Sequence, residues 1–268
     1  MLSIYPLQIA FFKDKVLFVG TLFYGNPNIH LNHILRLFNI HPKKETSFEF
    51  EVNDFKTKLK SDKYGRVHCV IDRKYCKEEL SIKIDDIHLD QKDYIIIHLD
   101  NKPNLVISDI DDTLIKSHSK KHLKRIITLL FKKAKQRKGV SGGQALLLKY
   151  KESANFVYLS RSEENLYHYL KKIFNHLNLP KGLFLLSPWK KFSNLSSNKS
   201  KQQHKEKWLR TIIQSCDQSL ILIGDNSQLD EKIYSGLMNQ FQSRIKAVYI
   251  RQINPLNKSQ PSNDINYF

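Results

Sequence analysis

The chain has 268 residues and carries 44 Lys+Arg against 26 Asp+Glu, a formal net charge of +18 that favours anionic partners such as phospholipid surfaces, nucleic acid or other polyphosphates. Its length and 41% apolar content suit one large core or two smaller ones, and its three cysteines, Cys69, Cys76 and Cys216, are an odd set without metal-type clustering, which argues against a disulfide framework and fits a reducing compartment better. The longest apolar runs, four to six residues, fall far below the ~20 needed to cross a bilayer, and MLSIYPLQIAFFKDK lacks the basic n-region and cleavage site of a signal peptide.

Residues 1–101 read as a small all-β sandwich. VLFVGTLF (16–23) and RVHCVI (66–71) are rich in Val and Phe, and SFEFEV (47–52) alternates as a half-solvated strand does. SIKIDDIHL (81–89) and YIIIHL (94–99) follow, with turn signals at Gly25-Asn26-Pro27 and Lys63-Tyr64-Gly65. Phe11, Phe12, Phe18 and Phe23 are expected in the core of this unit. HLNHILRLF (30–38) has a helical period and reads as a helix or a long loop.

From Lys102-Pro103 the pattern changes to α/β. Apolar runs at 105–108, 156–159, 183–186, 220–223 and 247–250 alternate with helical stretches at 163–176, 203–215 and 229–240. Continuous apolar strands between helices predict a mostly parallel sheet covered on both faces. This unit is expected over 102–253, with a polar loop at 194–203 and a surface tail over 254–268.

KSHSKKHLKRIITLLFKKAKQRK (116–138) carries ten Lys/Arg and no acid. Leu123, Ile126, Ile127, Leu130, Phe131 and Ala134 fall on one helical stripe. Such a helix either packs on the sheet with its charges solvated or lies in an anionic membrane interface. Lys120, Lys121, Lys124, Arg125, Lys132 and Lys133 are the candidate membrane contacts. Peripheral membrane association in the cytoplasm is the expected location.

NLVISDIDDT (104–113) delivers Asp109 and Asp111 to the end of an apolar run, and LILIGDNSQLD (220–230) delivers Asp225 and Asp230 to another. In open α/β sheets such rims bind ligands. Asp109 can attack phosphorus, and Asp111 can protonate the departing oxygen and then take a proton from water. Thr113 is placed to hold Asp111 and to face the phosphate; Ser160, after strand 156–159, can donate to a phosphoryl oxygen. Mg²⁺ prefers oxygen ligands, and Asp109, Asp111, Asp225 and Asp230 are the candidate metal residues. Lys205 is the expected phosphate lysine, Lys201 the runner-up, and His204 a possible helper.

DIDDT, YLSRS, HK and LIGDNSQLDEKIY, in that order, resemble the haloacid-dehalogenase-like phosphatases. More closely, they resemble the actin-patch phosphatidate phosphatase family and its bacterial relatives. LPKGLFLL (179–186) and VYIR (248–251) match further segments of that family, and VLFVGTLF and DKYGRVHCVI are loosely similar to its β-domain. The resemblance implies a haloacid-dehalogenase-like, Rossmann-type sheet and Mg²⁺-dependent conversion of phosphatidate to diacylglycerol and phosphate. It implies Asp109 as nucleophile, Asp111 as acid/base, Ser160 and Lys205 on the phosphate, and Asp225 and Asp230 on the metal. SRSEEN (160–165) lacks the family's proline, and Ser187-Pro188 replaces an Arg-Asp. These departures bear on substrate identity. Two alternatives stay open: a phosphatase for another anionic phosphomonoester, such as a nucleic-acid end, phosphoprotein or metabolite, and a non-catalytic phosphatidate-binding module. No aromatic-studded nucleic-acid motif is present.

Overall fold

The structure is a computed structural model that describes residues 2–25, 41–77, 79–116, 134–188, 198–226, 230–253 and 265–268. The helix or long loop expected at 30–38 and the six candidate membrane residues between 120 and 133 lie outside the described residues.

Eight strands make up the N-terminal part: β1 (Leu2–Phe11), β2 (Lys15–Tyr24), β3 (Ser47–Val52), β4 (Phe55–Lys60), β5 (Arg66–Asp72), β6 (Ile82–Ile84), β7 (Ile87–His88) and β8 (Tyr94–His98). They form two four-stranded sheets, β5-β2-β1-β8 and β4-β3-β6-β7. All pairings are antiparallel except β1 with β8. The sheets share a core in which Phe18 of β2 meets Phe50 of β3 edge-on, with ring centres 5.3 Å apart. The expected run 81–89 is broken at Asp85, which sits at φ 52° while its carboxylate accepts the Glu49 amide. A short polar side chain tolerates this left-handed turn.

β1 and β2 are buried on both faces. Ile9, Phe11, Val16 and Phe18 enter the sandwich core, whereas Ala10, Phe12, Leu17 and Val19 enter the core of the second half. This double burial explains why VLFV is a continuous apolar run and not an alternating one. β1 was not legible as a strand beforehand, and neither was the lysine-rich β4, whose residues alternate between half-buried and exposed.

The second half comprises β9 (Asn104–Ser108), α1 (Ser141–Tyr150), β10 (Ala154–Glu163), α2 (Tyr167–His176), β11 (Leu183–Ser187), α3 (Asn198–Ser215), β12 (Ser219–Asp225), α4 (Asp230–Phe241), β13 (Ile245–Arg251) and β14 (Ile265–Tyr267). The sheet is wholly parallel in the order β11-β10-β9-β12-β13-β14. β9 is fully buried between neighbours. Leu105 and Ile107 share a core with Leu209 and Ile212 of α3 and Tyr234 of α4. Val106 points the other way, into a core with Leu147 of α1 and Leu170, Ile173 and Phe174 of α2. Alternate side chains of one strand thus serve two helical layers.

Three expectations are corrected. Ile265–Tyr267 does not wander over the surface but adds the sixth strand, with Ile265 buried and the Phe268 amide donating to Ile250. The segment 198–203 of the expected polar loop belongs to α3. Residues 160–163, expected partly in a helix, extend β10, and the helix proper begins at Tyr167 after a single tight turn. Gln8 ties the halves together: its side chain donates to the Phe184 carbonyl at 2.8 Å and accepts from the Phe184 amide at 3.0 Å. A buried glutamine thereby mimics a neighbouring strand at the edge of β11. Among the described residues, no helix is long and apolar enough to cross a membrane.

Candidate active site

The site lies at the C-terminal ends of β9, β10 and β12, with β9 in the middle. The Asp109 amide donates to the Ile223 carbonyl at 2.9 Å, extending the β9–β12 ladder by one bond. This places Asp109 beside the end of β12, where Asp225 stands. The chain then folds back on itself: the Leu114 and Ile115 amides both donate to the Ile110 carbonyl, and Asp112 adopts φ 59°. Arg251, at the end of β13, donates to the Asp112 carbonyl and clamps the turn. Gly143 of α1 admits this loop, because a Cβ there would lie 2.2 Å from the Thr113 carbonyl oxygen. That contact accounts for Gly143, in a helix the sequence did not reveal, while a Cβ on Gly142 would lie 2.8 Å from the Phe268 ring.

Asp109, Asp225 and Asp230 converge, each offering a carboxylate oxygen within 4.8 Å of the others. All three are buried. Lys205 of α3 donates to Asp109 Oδ1 at 3.1 Å and to Asp230 Oδ1 at 2.6 Å. Asp230 Oδ2 is buried with no hydrogen-bond partner among the described residues. Burying a carboxylate oxygen without a partner is costly, and a cation in the cluster would offset that cost. The donor set is all oxygen and all carboxylate, which suits a hard divalent ion. The residues present therefore fit a metal ion.

Burial pushes the Asp109 carboxyl well above the usual carboxylate range, Asp230, Asp225 and Asp111 add to the rise, and Lys205 opposes it. Burial alone would lower the Lys205 ammonium, but Asp109 and Asp230 outweigh it and hold the group charged.

Asp111 stands apart from the three-carboxylate cluster. Its Oδ2 accepts from the Ser160 hydroxyl at 3.0 Å and the Ser162 hydroxyl at 2.6 Å, and the Ser162 amide donates to Ser160 Oγ at 2.9 Å. Thr113 does not reach Asp111, the partner expected for it: its hydroxyl lies 3.4 Å from Asp109 Oδ2 and 3.4 Å from Asp225 Oδ2. The turn at Asp112 swings the threonine toward β12 and leaves Asp111 to β10. Ser160, expected to face phosphate, is engaged with Asp111. His204 points toward Arg66, 3.3 Å from its guanidinium, and not into the cluster. Lys201, the runner-up lysine, lies on α3, one turn before Lys205.

Sequence reasoning missed Ser162, Arg251 and Gly224. Ser162 was legible in principle, because residues two apart on a strand share a face with Ser160. Gly224 packs against Asp230: a Cβ there would lie 2.6 Å from Asp230 Oδ2 and 2.9 Å from its Cβ. Gly224→Ala is therefore expected to displace Asp230 and weaken divalent-cation affinity about 10- to 100-fold, read by titration calorimetry. An unchanged isotherm would remove Asp230 from the metal site.

Residues 104–252 match the family described as phosphatidate phosphatase APP1, catalytic domain. No curated protein matches the chain. Among solved structures, the Pnkp1/Rnl/Hen1 complex is 14% identical over 57% of this chain and 47% of that one, with a TM-score of 0.40. The chain thus spans about half of that structure. A flavohemoglobin from Malassezia yamatoensis is 11% identical over 100% of this chain and 59% of that one, with a TM-score of 0.20. Likenesses this remote carry no argument. The matched segment takes in β9 to β13 and every residue that converges on the site, so the chain belongs to the family of the phosphatidate phosphatase APP1 catalytic domain.

Proposed function

We propose that this chain is a Mg²⁺-dependent phosphatidate phosphatase that works through a phosphorylated Asp109. The observation that carries the reading is the convergence of Asp109, Asp225 and Asp230 from segments distant in sequence, with Lys205 bridging two of them. Asp109, Asp225 and Asp230 would hold the ion, which supplies charge neutralisation for the incoming phosphate and Lewis-acid polarisation of its oxygens.

In the first step, an Asp109 carboxylate oxygen forms a bond to phosphorus as the bond from phosphorus to the glycerol oxygen breaks. Asp111, held by Ser160 and Ser162, gives that oxygen its proton, so diacylglycerol leaves as a neutral alcohol. In the second step, Asp111 takes a proton from water, whose oxygen attacks the same phosphorus. The bond to Asp109 breaks, and inorganic phosphate and the free carboxylate are restored. Lys205 balances the negative charge gathered around Asp109 throughout.

The lipid substrate is supported by the family description and by the ten basic residues over 116–138. Each basic residue near an anionic surface contributes about 1 kcal/mol, and we place the protein at a membrane surface on that ground. Phosphate release from phosphatidate in detergent mixed micelles, compared with release from soluble phosphomonoesters, tests the reading. Phosphatidate is expected to be the better substrate, and chelation of Mg²⁺ to abolish turnover. Soluble esters ranking above phosphatidate would reassign the substrate. Phosphatidate binding without turnover under any divalent metal would leave a binding module.

A further inference from the structure

The seam between the N-terminal sheets and the parallel sheet contains an ion pair largely shielded from water. Arg66 of β5 donates through Nε and Nη2 to Oε1 of Glu164 at 2.9 and 2.7 Å. The Arg66 side chain is buried and that of Glu164 is partly buried, at 6% and 13% exposure. Nη2 also donates to the Leu186 carbonyl at the end of β11, and Nη1 lies 3.3 Å from Nδ1 of His204 on α3. The guanidinium sits 5.6 Å from the ring centre of Trp208, one turn further along α3. Thr21, paired opposite Arg66 in the β2–β5 ladder, donates its hydroxyl to the other oxygen of Glu164.

The placement of these partners matters more than their number. Glu164 follows Ser162 by two residues, and Ser162 holds Asp111. His204 immediately precedes Lys205, which bridges Asp109 and Asp230. A single guanidinium thus joins the strand end that orients the acid/base carboxylate to the helix that carries the site's lysine. Those two supports carry the groups that hold Asp111 and Asp109. A planar, always-charged fork can hold several acceptors at fixed angles; a lysine cannot.

We infer that Arg66, with Glu164 and Thr21, is a positioning device by which the N-terminal sheets complete the catalytic site, holding Asp111 and Lys205 at the separation that phosphoryl transfer requires. The inference rests on the phosphatase reading for its catalytic part. Arg66 touches no reacting atom and acts through Ser160, Ser162 and Lys205. The N-terminal sheets then contribute directly to turnover and are more than a spacer.

The test uses the full chain as wild type, Arg66→Met, Arg66→Lys, Glu164→Gln and the milder Thr21→Val. Two readouts are taken: steady-state kinetics with Mg²⁺ and phosphatidate, and hydrogen exchange of the metal-free proteins. Arg66→Met is expected to lower kcat about 10- to 100-fold with KM nearly unchanged, the size of effect that a displacement of roughly 1 Å produces. Arg66→Lys should fall between it and wild type, and Thr21→Val should show a smaller loss in the same direction. Exchange should rise selectively at amides 109–113, 160–164 and 203–206, while amides of β1 and β12 stay protected. A kcat within twofold of wild type in variants that fold, or exchange rising evenly across the molecule, would overturn the inference and leave Arg66 as ordinary seam packing. If Arg66→Met fails to fold, Glu164→Gln and Thr21→Val decide by the same criteria. A wild type inactive on every ester would refute the phosphatase reading, and the exchange pattern would still decide whether Arg66 holds these segments.

Discussion

Asp109→Asn should lose at least about 10³-fold in phosphate release while its fold becomes no less stable than wild type. The two halves of this result have one cause. Asp109 is 1% exposed, clusters with Asp225 and Asp230, and feels the charge of Asp111 as well. Its ionised form is costly to bury, and the fold tolerates it because Lys205 stands 3.1 Å away. An amide removes the buried charge and keeps the shape, so the metal-free variant should melt at or above the wild-type temperature. The same amide is a poor nucleophile toward phosphorus and a poor metal ligand, so turnover collapses. A strained, charge-crowded site whose neutralisation stabilises the protein is the usual signature of residues kept for chemistry. Equal turnover in the two proteins would remove the mechanism, and a large loss of stability would make Asp109 a structural residue.

Lys205→Met should be inactive and also destabilised, by about 3–5 kcal/mol at pH 8 without metal. The ammonium is 3% exposed and is the bridge between Asp109 and Asp230. Methionine fills the space but leaves the carboxylates facing each other with nothing to offset them. The pH dependence follows from the sign of the Asp109 shift. Its folded pKa lies above the ordinary 3.8, so the ionised group weighs against the fold at all pH values above that raised pKa. The penalty disappears as pH falls through the raised value toward 3.8, because the folded state takes up its proton first. Without Lys205 the shift is larger, so the stability gap between variant and wild type should narrow as pH is lowered from 8 to 3.8, where the penalty vanishes in both proteins. Chemical denaturation at the two pH values measures it. A gap that is constant or widens on acidification would mean that Lys205 is not what balances the cluster.

Much of this molecule could be read beforehand, and the residues show why. The buried strands β9 to β12 announced themselves because a strand covered on both faces must be apolar throughout, as Leu105, Val106 and Ile107 are, and half-buried β13 kept a shorter apolar run. The acidic ends were legible as a set: one carboxylate after such a run often only caps a loop, but Asp109 and Asp111, Ser160, Lys205, and Asp225 and Asp230 in that order point to one chemistry. What stayed hidden depends on pairings between distant segments. β14 is three residues long, and only its contact with β13 makes it a strand. α1 begins with Ser-Gly-Gly, which discourages a helix until Gly143 is seen against the Thr113 carbonyl. The direction of Thr113, toward Asp109 and Asp225, follows from the left-handed turn at Asp112, which no local preference demands. The Arg66–Glu164 pair joins residues 98 positions apart, and neither residue stands out in its own segment.

Acid-quench trapping of labelled phosphate on the protein addresses the central claim most directly. Wild type mixed briefly with Mg²⁺ and phosphatidate carrying a radiolabelled phosphate should acquire label that is stable to acid, released by alkali or hydroxylamine, and located at Asp109 by peptide mapping. Asp109→Asn should acquire none. Label found on another residue, or rapid phosphate release by wild type with no protein-bound label at any quench time, would contradict it.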